Sequence, residues 1–188
     1  MKKIVFLLLL IPSFLFGQNE KLLMDKVSAD GTRTICTFYH YINTGAMDTA
    51  PIGIAFLSTI RDGIRNYFLS IKMRNISLTE DGALLVKTST DEILEFRQLY
   101  NEYESESTHY IPYQGIIEMG TALYNSSIED LEKLINEGIK KVRVETSVGL
   151  VDREYKPKRV EKHKKELEAM FQMIKSESLK QKDIYTDF

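Results

Sequence analysis

Short apolar, β-rich runs separated by turn-forming residues occupy the first half of the chain, and two later stretches carry apolar residues at helical spacing. Asp30 and Gly31 stand between the runs 22–28 and 32–42, and an Asp-Gly pair so placed is the strongest short hairpin signal. Arg61, Asp62 and Gly63 separate 52–60 from 64–73 in the same way, and Ser89, Thr90 and Asp91 separate 83–88 from 92–99. Residues 43–50 (NTGAMDTA) and 101–108 (NEYESEST) read as exposed loops, the second leading to a strand over 116–124. Successive hairpins predict an antiparallel sheet rather than βαβ winding.

Ser127 followed by Asp130 has the form of a capping box with Asp in place of Glu. Ile128, Leu131, Leu134 and Ile135 then fall on one helical face before Gly138 stops the helix. Residues 139–146 and 149–155 read as two more strands turning at Gly149. Pro157 is placed to start a final helix, whose stripe is Val160, Leu167, Met170, Phe171 and Ile174 with lysines opposite. The expected architecture is α+β: an antiparallel sheet of about seven to nine strands, curled or sandwich-like, with a short helix and a long C-terminal helix packed on it.

The N-terminus alters this picture by taking the first residues out of the fold. Lys2 and Lys3 precede an uncharged apolar run, 4–16 (IVFLLLLIPSFLF), and Gly17 follows; this is the pattern of a cleavable export signal. The run has 13 residues, with Pro12 inside it, against the roughly 20 that a spanning helix needs. The expected organisation is a signal peptide over 1–17, cut near Gly17-Gln18, one domain over 18–180 and a frayed tail over 181–188. Its location is then the periplasm or the extracellular space, without a transmembrane anchor. Cys36 is the only cysteine, so neither an intramolecular disulfide nor lipid attachment at the cut is available. Removing Lys2 and Lys3 takes the formal charge from −2 to −4, which disfavours nucleic-acid partners. Residues 156–182 hold nine Lys/Arg and four Glu, and 77–107 hold eight acids and two bases; solvated faces are the expected reading of both.

Candidate chemistry is sparse. Cys36 and His40, four apart on one expected strand, would share a face and could begin a metal site. A zinc site needs three or four ligands, however, so a buried Cys beside a strand histidine is the reading preferred. No catalytic residue, metal or cofactor is assigned. Phosphate-loop, dinucleotide, G-x-S-x-G and H-E-x-x-H patterns do not occur. His163 is expected to face solvent or the margin of the sheet. Glu102, Glu104 and Glu106 precede His109, and Tyr100, Tyr103, Tyr110 and Tyr113 gather around the same acidic loop. Tyrosine joins an apolar ring to a polar tip, which suits peptide or sugar recognition. The candidate binding residues are therefore Tyr100, Tyr103, His109, Tyr110 and Tyr113.

Three segments together resemble small exported proteins of unknown function from Bacteroidota: Phe16-Gly17-Gln18 at the end of the signal; residues 82–87 (GALLVK) with 92–96 (EILEF); and 127–145 (SIEDLEKLINEGIKKVRVE) with the closing helix. The likeness spans roughly residues 80 to 180. It implies a compartment and a fold and supplies no catalytic residue. Asp48-Thr49-Ala50 also resembles the O-glycosylation acceptor of those bacteria, which makes Thr49 a candidate modification site. The function expected is a noncatalytic periplasmic or cell-surface module that binds a protein, peptide or glycan. The alternatives are a hydrolase of envelope or dietary polymers and a subunit of an envelope assembly.

Overall fold

The computed structural model describes residues 22–42, 51–79, 81–99, 107–111 and 115–176, with side chains left undescribed at 107–111, 115–119 and 176. The expected signal segment, Thr49, Tyr100, Tyr103, Tyr113 and the tail lie outside the described residues. His109 and Tyr110 are placed by their backbone alone.

Eleven strands and two helices are present among the described residues. They are β1 (Leu22–Val27), β2 (Arg33–Thr37), β3 (His40–Ile42), β4 (Ile52–Arg61), β5 (Ile64–Arg74), β6 (Ala83–Thr88), β7 (Ile93–Arg97), β8 (Ser107–Ile111), β9 (Gly115–Ser126), α1 (Ile128–Glu137), β10 (Ile139–Thr146), β11 (Gly149–Glu154) and α2 (Pro157–Ser176). All strand pairs are antiparallel, so the α+β class with mostly antiparallel sheet holds. The strands divide between two sheets: seven in the order β1-β2-β4-β5-β9-β8 with β3 also on β4, and four in the order β11-β10-β6-β7. The acidic stretch expected as a loop gives up its last two residues to β8. No helix among the described residues is long and apolar enough to cross a membrane.

Local chemistry explains the turns and caps. Gly31, Asp62, Gly63, Asp91 and Gly149 all have positive φ, a region that Gly enters freely and Asp tolerates. The Ser127 hydroxyl accepts from the Asp130 backbone N–H at 3.0 Å, and Gly138, at φ 80°, closes α1 by donating its N–H to the Leu134 carbonyl.

The two sheets share one core. Ile52, Ile54 and Phe56 of β4 lie across from Met73, Ile71 and Leu69 of β5, and this face meets Leu84 and Val86 of β6, Val142 and Val144 of β10, and the apolar stripes of α1 and α2. The link between sheets runs through residues 75–79. Asn75 (φ 56°) turns the chain out of β5, the Ile76 carbonyl passes over Gly120 of β9, and the Ser77 carbonyl accepts from Ser147 N–H at 3.0 Å. On the other side Leu99 N–H donates to the Leu123 carbonyl at 2.8 Å. Tyr124, fully buried here, has no hydrogen-bond partner for its hydroxyl among the described residues. A buried hydroxyl without a partner opposes folding. Tyr124→Phe is therefore expected to leave stability unchanged or raise it by up to about 1 kcal/mol, read as an equal or higher urea midpoint. A loss beyond about 1 kcal/mol would mean that the hydroxyl is bonded.

The run expected as one strand over 32–42 is broken. On β4, Cys36 lies opposite Leu57 and His40 opposite Ile54, so four residues on one side match three on the other. This is a bulge of one residue. The Thr37 hydroxyl fills the gap in the ladder, accepting from Phe56 N–H at 3.0 Å and donating to the Phe56 carbonyl at 3.4 Å. Because side chains alternate along a strand, Leu57 and Ile54 point to opposite faces, and so do Cys36 and His40. The expected shared face is thereby overturned: His40 joins Ile54 and Phe56 on the side that α2 covers.

Candidate functional site

α2 docks on that face through Val160, His163, Leu167, Phe171 and Ile174, all buried. His163 is 9% exposed, which corrects its expected place at the solvent or the sheet margin. The signal was in the spacing. Positions 160, 163, 167, 171 and 174 follow the three-four rhythm of one helical face, and the lysines around His163 obscured it. His40 had no such signal, since only the bulge turns it inward.

His40 Nε2 lies 2.6 Å from His163 Nδ1, across 123 residues of sequence. Glu166, one helical turn beyond His163, brings its Oε2 to 3.1 Å from His40 Nδ1 and 3.6 Å from His163 Nδ1. The Tyr155 ring stacks on His163 with centroids 4.0 Å apart and planes 24° apart, holding the imidazole's orientation. His163 Nε2 and the Tyr155 hydroxyl are buried without hydrogen-bond partners among the described residues. Glu166 stays 40% exposed, so the cluster has a dry inner side and a wet outer one.

Burial holds both histidines below their ordinary imidazole range. At His40 the Glu166 charge opposes this and Lys162 adds to it. At His163 the neighbouring His40 adds to it, ahead of the opposing Glu166, and Arg159 contributes a further lowering. Both rings are thus neutral near pH 7. The tautomers that use most atoms place a proton on His40 Nδ1 facing the Glu166 carboxylate, and another on His163 Nδ1 facing His40 Nε2. His163 Nε2 is then a bare lone pair in the interior. Two imidazoles and a carboxylate are also the donor types that hold divalent transition metals, and one ligand atom from each of the three lies within 4.8 Å of the others.

Cys36 takes no part. It is buried on the opposite face, and burial pushes its thiol up to about 11, so it is a core residue and not a thiolate nucleophile. Among the tyrosine-loop candidates, His109 and Tyr110 fall on the terminal strand β8, opposite Ile117 and Ile116 of β9. The acidic segment also resolves in part. Asp91 bonds Lys140 at 2.7 Å and Lys87 at 2.9 Å, and Glu92 bonds Lys133. These partners lie on β6, β10 and α1, not on the lysine-rich α2.

No protein-family model, curated protein or solved structure matches this chain.

Proposed function

We propose that the chain is exported, loses residues 1–17, and acts in the periplasm or at the cell surface as a noncatalytic binding module on a curled, sandwich-like frame. The observation that carries the noncatalytic half is the use of the two buried histidines. Both ring nitrogens of His40 face partners, and the one unpartnered nitrogen, His163 Nε2, is shut away from solvent. A polymer hydrolase needs a general base or acid within hydrogen-bond reach of its substrate; this pair offers none to a glycan or peptide arriving from outside.

An export role in protein contact is supported by strand β11, at the edge of the four-stranded sheet. Leu150 there is 64% exposed and the adjoining Val148 is 75% exposed. Among the described residues β11 pairs only with β10, and an edge strand carrying exposed apolar side chains is a template for an extended segment of another protein. Fractionation of the producing cells tests the reading. The expected result is a protein beyond the inner membrane whose N-terminus is Gln18, and whose purified form releases no sugar or peptide from isolated envelope polymers. Cytoplasmic retention with Met1 intact, or polymer cleavage that follows the purified protein, would overturn it.

A further inference from the structure

We propose that His40, His163 and Glu166 form a binding site for one divalent first-row transition metal ion, of which Zn²⁺ is the reference, at the seam between β3 and α2. The proposal begins with convergence. Three potential ligands reach one point from two elements far apart in sequence, with their ligand atoms within 4.8 Å of one another. Two of them, His163 and Glu166, stand three residues apart on α2, the spacing that stacks side chains on one helical face. The third arrives because the bulge before His40 turns that side chain towards the helix.

Without an ion, the two histidines are in direct contact. At 2.6 Å, His40 Nε2 and His163 Nδ1 are closer than the 2.7–3.2 Å usual even for N–H···O bonds. At that distance the pair shares the His163 Nδ1 proton, and an ion that takes the proton's place holds the two nitrogens further apart. Zinc nitrogens at about 2.0–2.1 Å stand about 3.3 Å apart at the tetrahedral angle. Binding therefore opens the pair by roughly 0.7 Å, within reach of a small ring rotation. The proton on His163 moves from Nδ1 to its unpartnered Nε2, so His163 Nδ1 and His40 Nε2 both present lone pairs to the ion and no net proton is lost. Glu166 leaves His40 Nδ1–H and turns its carboxylate to the ion as the third ligand. Glu166, 40% exposed, gives the ion a path in from solvent.

The surroundings define the class of ion. Both imidazoles are drawn into the seam, with side chains 15% and 11% exposed, and bring nitrogens towards one point. The single carboxylate is opposed by Lys162, 3.8 Å from Glu166, and by Arg159 near His163. A site with one oxygen donor and nearby cations does not suit Mg²⁺ or Ca²⁺, which require several oxygen ligands, while imidazole nitrogens suit zinc, nickel and copper. Bound there, the ion ties α2 to the seven-stranded sheet.

The test uses the untagged protein, expressed at full length, purified as the host processes it and stripped with EDTA. Calorimetric titration with ZnCl₂ is expected to show one ion per chain. At a hundredfold excess over Kd the melting temperature is expected to rise by about 5–10 °C, with no response to MgCl₂ or CaCl₂. Glu166→Gln removes the anionic ligand at a part-exposed position and is expected to weaken zinc binding at least about tenfold with the far-UV spectrum unchanged. His163→Gln is expected to abolish binding, and His109→Ala to leave it intact. Absence of saturable zinc binding, or stoichiometric binding of unchanged affinity in Glu166→Gln, would overturn the proposal whether or not the His163 variant folds.

Discussion

Phe171→Ala is expected to lower the free energy of unfolding by about 3–5 kcal/mol. The ring is 2% exposed, and it meets Phe56 of β4 edge-on at 5.7 Å and Tyr67 of β5 at 6.1 Å. It is thus the aromatic anchor of α2 on the seven-stranded sheet, and Lys175 caps it with an ammonium 5.2 Å from the ring centre. Truncation removes the buried area, the two ring contacts and that cation contact together, and leaves a cavity between a helix and a sheet that are each internally hydrogen-bonded and slow to collapse into it. In urea, with a slope of about 2 kcal/mol/M, the midpoint should fall by roughly 2 M at unchanged slope. Phe171→Leu, which refills most of the volume, should lose less than half as much. A midpoint shift below about 0.5 M for the alanine variant would show that α2 contributes little to the core.

Gly120→Ala is expected to cost about 2–3 kcal/mol, at the upper end for a single added methyl. A Cβ at Gly120 would stand 2.5 Å from the Ile76 carbonyl oxygen and 3.2 Å from Ser77 Cα. Both are backbone atoms of the segment that carries the chain from one sheet to the other, and that segment is itself held by the bond from Ser147 N–H to the Ser77 carbonyl and by the Leu78–Thr146 bridge. A flexible side chain could step aside; a tethered backbone cannot do so without loosening the joint between sheets. Gly31→Ala offers the contrast. Its added Cβ meets nothing within 4 Å, so only the strain of φ 81° remains and the loss should be about 1 kcal/mol. Urea midpoints that place the two variants together would remove close crossing as the reason for glycine at 120.

Both residues sit where tertiary packing acts on a local feature, and they divide what was legible from what was not. Phe171 was readable as a core residue because its neighbours at helical spacing declare the face. The same rule, carried through Val160 to Leu167, includes His163, and the density of lysines around it led the other way. Composition describes a helix as a whole, while burial follows the angle of each residue about its axis.

The amino-acid sequence by itself determined the hairpin turns at Asp30-Gly31 and Asp62-Gly63, the limits of α1 from Ser127 to Gly138, the start of α2 at Pro157 and the antiparallel character of the sheets. Each depends on steric and hydrogen-bonding preferences that act within a few residues. Tertiary structure alone decided the division into two sheets, the one-residue bulge before His40 and the meeting of His40 with His163 and Glu166. A bulge exists only relative to the strand it faces, so its extra residue can be counted only against β4. The histidine pair exists only once that bulge and the docking of α2 have turned two distant side chains to the same side of one sheet.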